Sequence, residues 1–246
     1  NVPDLPPWGT VSNIHASKHD AGTAYMSVDF HQMNGRDPYI YKTSDYGESW
    51  TSISSDIPRS VFSYVHWVHE DPVRKGLLYA GTENAIYVSF NDGENWYPLQ
   101  EGMPHAPVHW LVIQEHFNDL VVGTYGRGFY ILDDYTPLRN LTTETMDQDA
   151  VIFPVKEALI YNPSTPIGSS GRGHQGDAFY LAENPPFGAV ITYRLKEGLT
   201  TLQDMRRVFG GERLVVMARE LTKLYETVKS AALTDLAAVF GDALRQ

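Results

Sequence analysis

Thr43-Ser44-Asp45-Tyr46-Gly47-Glu48-Ser49-Trp50 recurs 46 residues later as Ser89-Phe90-Asn91-Asp92-Gly93-Glu94-Asn95-Trp96. A hydroxyl, an Asp or Asn, a Gly and a Trp keep the same relative places in both copies. Each copy follows an apolar, aromatic run, Tyr39-Ile40-Tyr41 or Ile86-Tyr87-Val88, which reads as a strand entering a tight turn. The Asp or Asn side chain can accept from backbone N–H groups further along, the Gly accepts a positive φ, and the hydroxyl adds a second local bond. Thr43, Asp45, Gly47, Ser49 and Trp50, with Ser89, Asn91, Gly93, Asn95 and Trp96, are therefore expected to build structural turns covered by an indole, and not a catalytic site.

The repetition extends beyond the turns. Val65-His66-Trp67-Val68 corresponds to Val108-His109-Trp110-Leu111, and Leu78-Tyr79-Ala80-Gly81-Thr82 to Val121-Val122-Gly123-Thr124. An earlier unit runs from Val11-Ser12-Asn13-Ile14 through Ala24-Tyr25-Met26-Ser27-Val28. A period in the forties with strands inside it predicts propeller blades. Three such units lie within residues 8–140. The third lacks the turn signature, because Gly128-Phe129-Tyr130-Ile131-Leu132 runs straight into Asp133-Asp134-Tyr135. A closed propeller takes about four to eight blades, and the chain opens on Asn1 and not on Met. The expectation is an excerpt whose missing blades leave association-prone open edges.

The first turn satisfies at every position the Asp-box, S/T-x-D-x-G-x-S/T-W, of bacterial neuraminidase (BNR) repeats; the second departs from it at Asn91 and Asn95. Residues 1–199 thus resemble the secreted BNR and sortilin-like β-propeller proteins, many of them labelled glycosyl hydrolases. The stretches 67–72, 79–84, 116–122 and 124–129 resemble the end of that family's second propeller, and 183–193 resembles the first strand of a following β-sandwich. The resemblance implies boxes on hairpins far from any active site, a glycan or protein ligand, and a secreted or periplasmic location. It also implies a parent that hydrolyses glycosides, with the isolated chain inactive.

Composition sets wider bounds. The chain has 246 residues, 42% of them hydrophobic, which suffices for a core. Fifteen Tyr, ten Phe and five Trp suit packed sheets. The absence of Cys excludes disulfides, and no apolar stretch reaches membrane-spanning length. The net charge of −11 is uneven: residues 200–246 carry seven Lys or Arg against six Asp or Glu, which leaves the rest strongly acidic. Such a surface repels nucleic acid, so no nucleic-acid partner is expected for residues 1–199, and without a spanning stretch no membrane partner is expected for the chain.

Near Thr200 the pattern changes. Leu202, Met205, Val208 and Phe209 have helical spacing, Gly210-Gly211 stops that helix, residues 214–218 suit a buried strand, and residues 233–244 are helical again behind Ser230 or Thr234. The stretch 208–226, with Ala218-Arg219-Glu220-Leu221-Thr222-Lys223 at its centre, resembles ribosomal RNA small-subunit methyltransferase I, a 2'-O-methyltransferase of the tetrapyrrole-methylase fold. That resemblance implies an S-adenosylmethionine-dependent 16S rRNA methyltransferase fragment and, for that context, a cytoplasmic location. The Gly-rich cofactor-binding segments of that family do not occur here, so no cofactor is expected. The organisation predicted is mainly β: a partial propeller at 1–140, a linker and first sandwich strand at 141–199, and an α/β segment at 200–246, together suggesting a chimeric or truncated frame.

Chemistry-bearing residues are few. His66, His69, Glu70 and Asp71 are close in sequence, as are His105, His109, Glu115 and His116. In a regular strand His66 and His69 face opposite sides, so no metal is expected, and repetition accounts for His66 and His109. Glycosidases need two facing carboxylates; Glu70-Asp71 and Asp133-Asp134 are neighbours that diverge in a strand, so the catalytic residues stay unknown. Tyr125 and Arg127 are a distant echo of the sialidase Tyr and Arg residues, although Gly126 and Gly128 suit an ordinary turn. His66, His109, Tyr125 and Arg127 are the candidate ligand-loop residues. Residues 168–176 are Gly-rich but lack the Gly-Lys-Ser/Thr ending of a phosphate loop and read as linker.

Overall fold

The computed structural model describes residues 2, 5, 7–99, 102–158 and 188–195. These form two compact units, one built on the described residues up to Leu141 and one on 142–157 with 189–195.

The first unit consists of three antiparallel sheets in chain order. Sheet 1 holds β1 (Thr10–Ala16), β2 (Ala24–Asp29), β3 (Tyr39–Thr43) and β4 (Thr51–Ser52). Sheet 2 repeats it with β5 (Val65–Glu70), β6 (Leu78–Thr82), β7 (Ile86–Ser89) and β8 (Tyr97–Pro98). Sheet 3 has β9 (Val108–Gln114), β10 (Asp119–Thr124) and β11 (Phe129–Leu132). Each sheet is a meander in which sequential strands pair, the arrangement of a propeller blade. Instead of a fourth strand, the chain after β11 turns into a short helix, α1 (Thr136–Arg139).

The two box turns have the same anatomy. Tyr46 and Gly47 have φ of 62° and 89°, and Asp92 and Gly93 repeat those values, so both central residues lie in the left-handed region, as a tight hairpin turn demands. Thr43 Oγ1 accepts from Gly47 N at 2.9 Å, and Ser89 Oγ from Gly93 N at 2.9 Å. Asp45 Oδ1 accepts from Ser49 N at 2.9 Å, and Asn91 Oδ1 from Asn95 N at 3.0 Å. Only the last bond differs. Ser49 Oγ donates to the Asp45 carboxylate, whereas Asn91 Nδ2 donates to Asn95 Oδ1; the two Asn substitutions reverse one bond and keep the turn. These contacts hold the Asp45 carboxyl down to about 2, the Ser49 hydroxyl contributing most.

Trp50 and Trp96 occupy the same corner of successive sheets, each just before the fourth strand. Trp96 is buried, its Nε1 donates to Ile53 O at 2.7 Å, and its backbone N donates to Asp56 Oδ2. Trp50 is half-buried against Met26, Val28 and Tyr41.

The cores lie between consecutive sheets. Tyr25 and Ile40 of sheet 1 pack with Val65, Val68, Leu78, Ala80 and Trp96 of sheet 2. Leu77, Tyr79, Ile86 and Val88 pack with Val108, Leu111, Ile113, Leu120 and Val122 of sheet 3. Gly81 sits at that second junction, where an added Cβ would stand 2.7 Å from the Val108 backbone oxygen. A Gly in a strand here permits close approach of another backbone.

The first strand of every sheet carries a β-bulge at the same place. Register shifts between Val11 and Asn13, between Val65 and Trp67, and between Val108 and Trp110, where Gly123 pairs with Trp110 and Thr124 with Val108. The extra residue is Ser12, His66 or His109. Its effect is visible in the burial: Val65 and Val68 are both buried although three residues apart, as are Val108 and Leu111. The strict two-residue alternation expected for His66 thus fails at the bulge, which re-aims the inserted side chain.

A buried polar network anchors the segment after β11. Asp71, with no exposed side-chain surface, accepts from Val73 N, Arg74 N, Tyr135 Oη at 2.7 Å and Arg139 Nε at 2.9 Å. Arg74 Nη1 donates to the backbone oxygens of Leu138, Arg139 and Leu141. Neighbouring Glu70 diverges from it, accepting from Tyr25 Oη and Gly76 N.

In the second unit α2 (Thr143–Asp147) begins with a capping box, Thr142 and Thr145 bonding each other's backbone N–H. β12 (Ala150–Ile152) pairs antiparallel with β13 (Tyr193–Leu195). The expected strand at 183–193 is described only from residue 188, and strand structure begins at Tyr193. The linker at 168–176 and the helix–strand–helix segment at 200–246 lie outside the described residues.

Candidate functional site

The bulges place His66 and His109 side by side. They are equivalent residues of neighbouring first strands, and their ring centroids are 4.1 Å apart. The same step from sheet to sheet brings Trp67 to 4.1 Å from Trp110 and His15 to 4.0 Å from His69. His66 and His69 consequently belong to different clusters.

Glu83, directly after β6, closes the site. Its Oε2 lies 2.8 Å from His66 Nε2 and 3.9 Å from His109 Nε2. Its position is fixed by its own backbone N–H, which donates to Tyr64 O at 3.2 Å. Tyr125 follows β10 as Glu83 follows β6, and its ring stacks on His109 at 5.5 Å. In both sheets, then, the bulged His meets the residue that directly follows the second strand.

The row continues through the loops beside sheet 1. Tyr64 packs edge-on to His66 and stacks on His31 at 4.9 Å, and the Arg36 guanidinium lies 5.3 Å from the Tyr64 ring centre. His31 Nδ1 is 2.6 Å from Asp29 Oδ2. Arg36, His31, Tyr64, His66, His109 and Tyr125 thereby form a continuous band. Arg127 is exposed on the β10–β11 turn, and among the described residues no hydrogen bond or ring contact joins it to the band.

The electrostatics follow from burial and from Glu83. The Tyr64 hydroxyl is pushed up to about 12, chiefly by burial and then by the Glu83 carboxylate. Burial also lowers the proton affinity of His109, His66 adds to that effect, and Glu83 opposes it. One donor atom each from His66, Glu83 and His109 lies within 4.8 Å of the others, so these three residues could hold a metal ion. The expectation of no metal rested on His66 and His69 within one strand; the cluster forms instead across two sheets and recruits Glu83.

Three of the four ligand-loop candidates, His66, His109 and Tyr125, meet in this band. Sequence reasoning missed Glu83, Asp29, His31, Arg36 and Tyr64. Glu83 carried a usable signal, because it follows Gly81-Thr82 as Tyr125 follows Gly123-Thr124. Asp29 ends β2 at the place in sheet 1 that Glu83 takes in sheet 2, whereas His31, Arg36 and Tyr64 stand between strands, outside the repeated pattern. Among the described residues no helix is long and apolar enough to cross a membrane.

No family model matches the chain. It is structurally similar over about half its length to β-propeller proteins. A GH74 xyloglucanase from Xanthomonas campestris aligns with 57% of this chain and 22% of its own, at 19% identity and a TM-score of 0.44. A GH74 enzyme from Niastella koreensis aligns with 50% and 21%, at 17% identity and a TM-score of 0.41. YCF48 bound to D1 peptide aligns with 52% and 37%, at 15% identity and a TM-score of 0.37. A segment of the sequence matches the ribosomal RNA small subunit methyltransferase I of Pseudomonas aeruginosa, 58% identical over 81 residues, 32% of this chain and 27% of that protein. The Vibrio cholerae protein of the same name is 58% identical over 36 residues, 15% of this chain and 12% of that protein. The chain thus spans about a quarter of the length of the first of these relatives.

Proposed function

We propose that the blade-bearing unit is a glycan-binding, non-catalytic portion of a β-propeller protein, and that the band from Arg36 to Tyr125 is its ligand face. The observation that carries this reading is the ring of Tyr125, 73% exposed and stacked on His109 beside the Glu83 carboxylate. An aromatic face supplies rigid apolar area for a sugar ring, and a few fixed polar groups orient it. Glu83 and Asp29 offer acceptors to sugar hydroxyls and Arg36 offers donors. The acidic balance of residues 1–199 favours a neutral glycan over an anionic one.

Glycoside hydrolysis needs one carboxyl to protonate the leaving group and a second to attack or to activate water. On this face each carboxylate is already engaged by an imidazole, Glu83 by His66 and Asp29 by His31, which supports binding without turnover. The test is calorimetric titration of the chain with neutral β-glucan and xyloglucan oligosaccharides, beside chromogenic glycosides. Saturable binding weakened at least tenfold by Tyr125→Ala, with no product release, is the expected result. Binding unaffected by that change, or turnover abolished by replacing one carboxylate, sinks the reading. This context carries a secreted or periplasmic location and further blades as partners, both open to fractionation and to reading the adjoining DNA.

The methyltransferase-like segment favours a second reading, a fragment of an S-adenosylmethionine-dependent 16S rRNA 2'-O-methyltransferase in a cytoplasmic context. Labelled methyl transfer to small ribosomal subunits tests it. Because so small a part of that enzyme is present, no incorporation is expected. Independent sequencing across the junction distinguishes one natural polypeptide from a chimeric frame.

A further inference from the structure

We propose that His66, Glu83 and His109 form a binding site for a divalent transition metal ion, Zn2+ being the best fit, bridging sheets 2 and 3. This inference does not depend on glycan binding. It rests on donor chemistry, donor spacing and the way the fold builds the cluster.

Two imidazole nitrogens and a carboxylate oxygen form a ligand set suited to borderline metals such as Zn2+. Zn–N and Zn–O bonds of about 2.0–2.2 Å in a tetrahedral site separate donors by roughly 3.3 Å. The two distances to Glu83 Oε2, 2.8 Å from His66 Nε2 and 3.9 Å from His109 Nε2, bracket that value. Small rotations of the Glu83 carboxylate and the exposed His109 ring bring both donors to ligating distance. Both histidines present Nε2 to one oxygen, so the atoms that would bind the metal already converge.

The repeat itself shows that the cluster is not simply copied decoration. At the bulge of sheet 1 stands Ser12, not His, and at the place after the second strand of sheet 3 stands Tyr125, not Glu. The combination of His, Glu and neighbouring His therefore occurs at the junction of sheets 2 and 3 and at neither of those places. A β-bulge re-aims a side chain, and here two bulges aim two imidazoles into one spot. Access is open on one side: the His66 side chain is 12% exposed, Glu83 23% and His109 48%. Three protein ligands leave a fourth position for water or a ligand hydroxyl, the pattern of an open and not of a closed structural site. A further feature favours a cation: the negative charge of the Asp29 carboxylate also acts at His109.

The experiment titrates the full chain, freed of metal by chelation, with Zn2+ at neutral pH and with Mg2+ as the oxygen-preferring control. One Zn2+ per chain with micromolar or tighter affinity is expected, together with a rise in melting temperature and a visible Co2+ spectrum of tetrahedral intensity. His109→Ala, at an exposed side chain, and Glu83→Gln should each weaken binding at least tenfold and abolish that spectrum, whereas His116→Ala, outside the cluster, should change neither. Circular dichroism confirms that each variant is folded, and the His109 position keeps the test informative if Glu83→Gln destabilises its sheet. Absence of saturable Zn2+ binding overturns the proposal. So does binding retained in His109→Ala and Glu83→Gln, which assigns the metal to other histidines. Because no sugar is present, failure here leaves the glycan reading standing, and failure of sugar binding leaves this one standing.

Discussion

Replacing Asp71 by Ala should destabilise the first unit more than any surface change, and the structure sets the size of the effect. The carboxylate accepts from four donors: two backbone N–H groups, Tyr135 Oη, and the single Arg139 Nε–H, which is shared between its two oxygens. Its loss leaves the Arg139 side chain, 12% exposed, without a charge partner. Breaking a buried pair from one side costs about 3–5 kcal/mol. Asp71→Asn keeps an oxygen for the backbone donors but loses the charge, and should cost about 1–3 kcal/mol. Arg139→Met in the Asp71→Ala background removes the orphaned cation, so the double variant should be less destabilised than the two single effects added together. The assay is urea unfolding followed by tryptophan fluorescence, paired with limited proteolysis at 133–141, which should become cleavable in Asp71→Ala before the sheets unfold. A loss below about 1 kcal/mol, or strict additivity in the cycle, refutes the claim that this network anchors the segment after β11.

Three other outcomes are expected. Gly47→Ala and Gly93→Ala impose the same φ strain, of roughly 1–2 kcal/mol, but at Gly93 the new Cβ also meets Ile53 at 2.7 Å. Melting curves should therefore show Gly93→Ala as the worse by a further 1–3 kcal/mol or so, and equal effects would contradict the packing described. Trp96→Phe removes an indole N–H that donates to Ile53 O in a buried corner; chemical denaturation should register a loss of about 1–3 kcal/mol, larger than for Trp50→Phe. Burial holds His69 down to about 3, with His15 and Lys18 adding to the effect and Asp71 opposing it. The unfolded chain therefore takes up this proton at a higher pH than the folded one. The neutral-His69 contribution is complete above about pH 6.5 and is lost as pH falls toward 3. Near pH 5 the loss amounts to about 2 kcal/mol, and His69→Phe should flatten the pH–stability curve between 6.5 and 5; an unchanged slope counts against it.

Legibility differed sharply between the turns and the site. The box turns were readable because the bonds that close them span four residues, from Thr43 to Gly47 and from Asp45 to Ser49. Strand alternation was readable up to the bulges, where one inserted residue breaks the two-residue period and leaves no mark of its own on composition. His66 and His109 were found by repetition, yet their partner Glu83 was passed over, since its role depends on a neighbouring sheet. Helix α1 stood where no fourth strand was expected, but its reason for being there, Asp71, lies 68 residues earlier than Arg139.

By itself the amino-acid sequence determined the strands, the indole-covered hairpins and the number of blade-like units, because each depends on hydrogen bonds and side-chain alternation among near neighbours in the chain. Only the tertiary structure decided which copies touch: how His66 meets His109, that Glu83 closes the pair, and that Asp71 captures Arg139. Those contacts are made by the packing of one sheet on the next and by bulges that turn side chains toward it, and no local pattern encodes the partner across that gap.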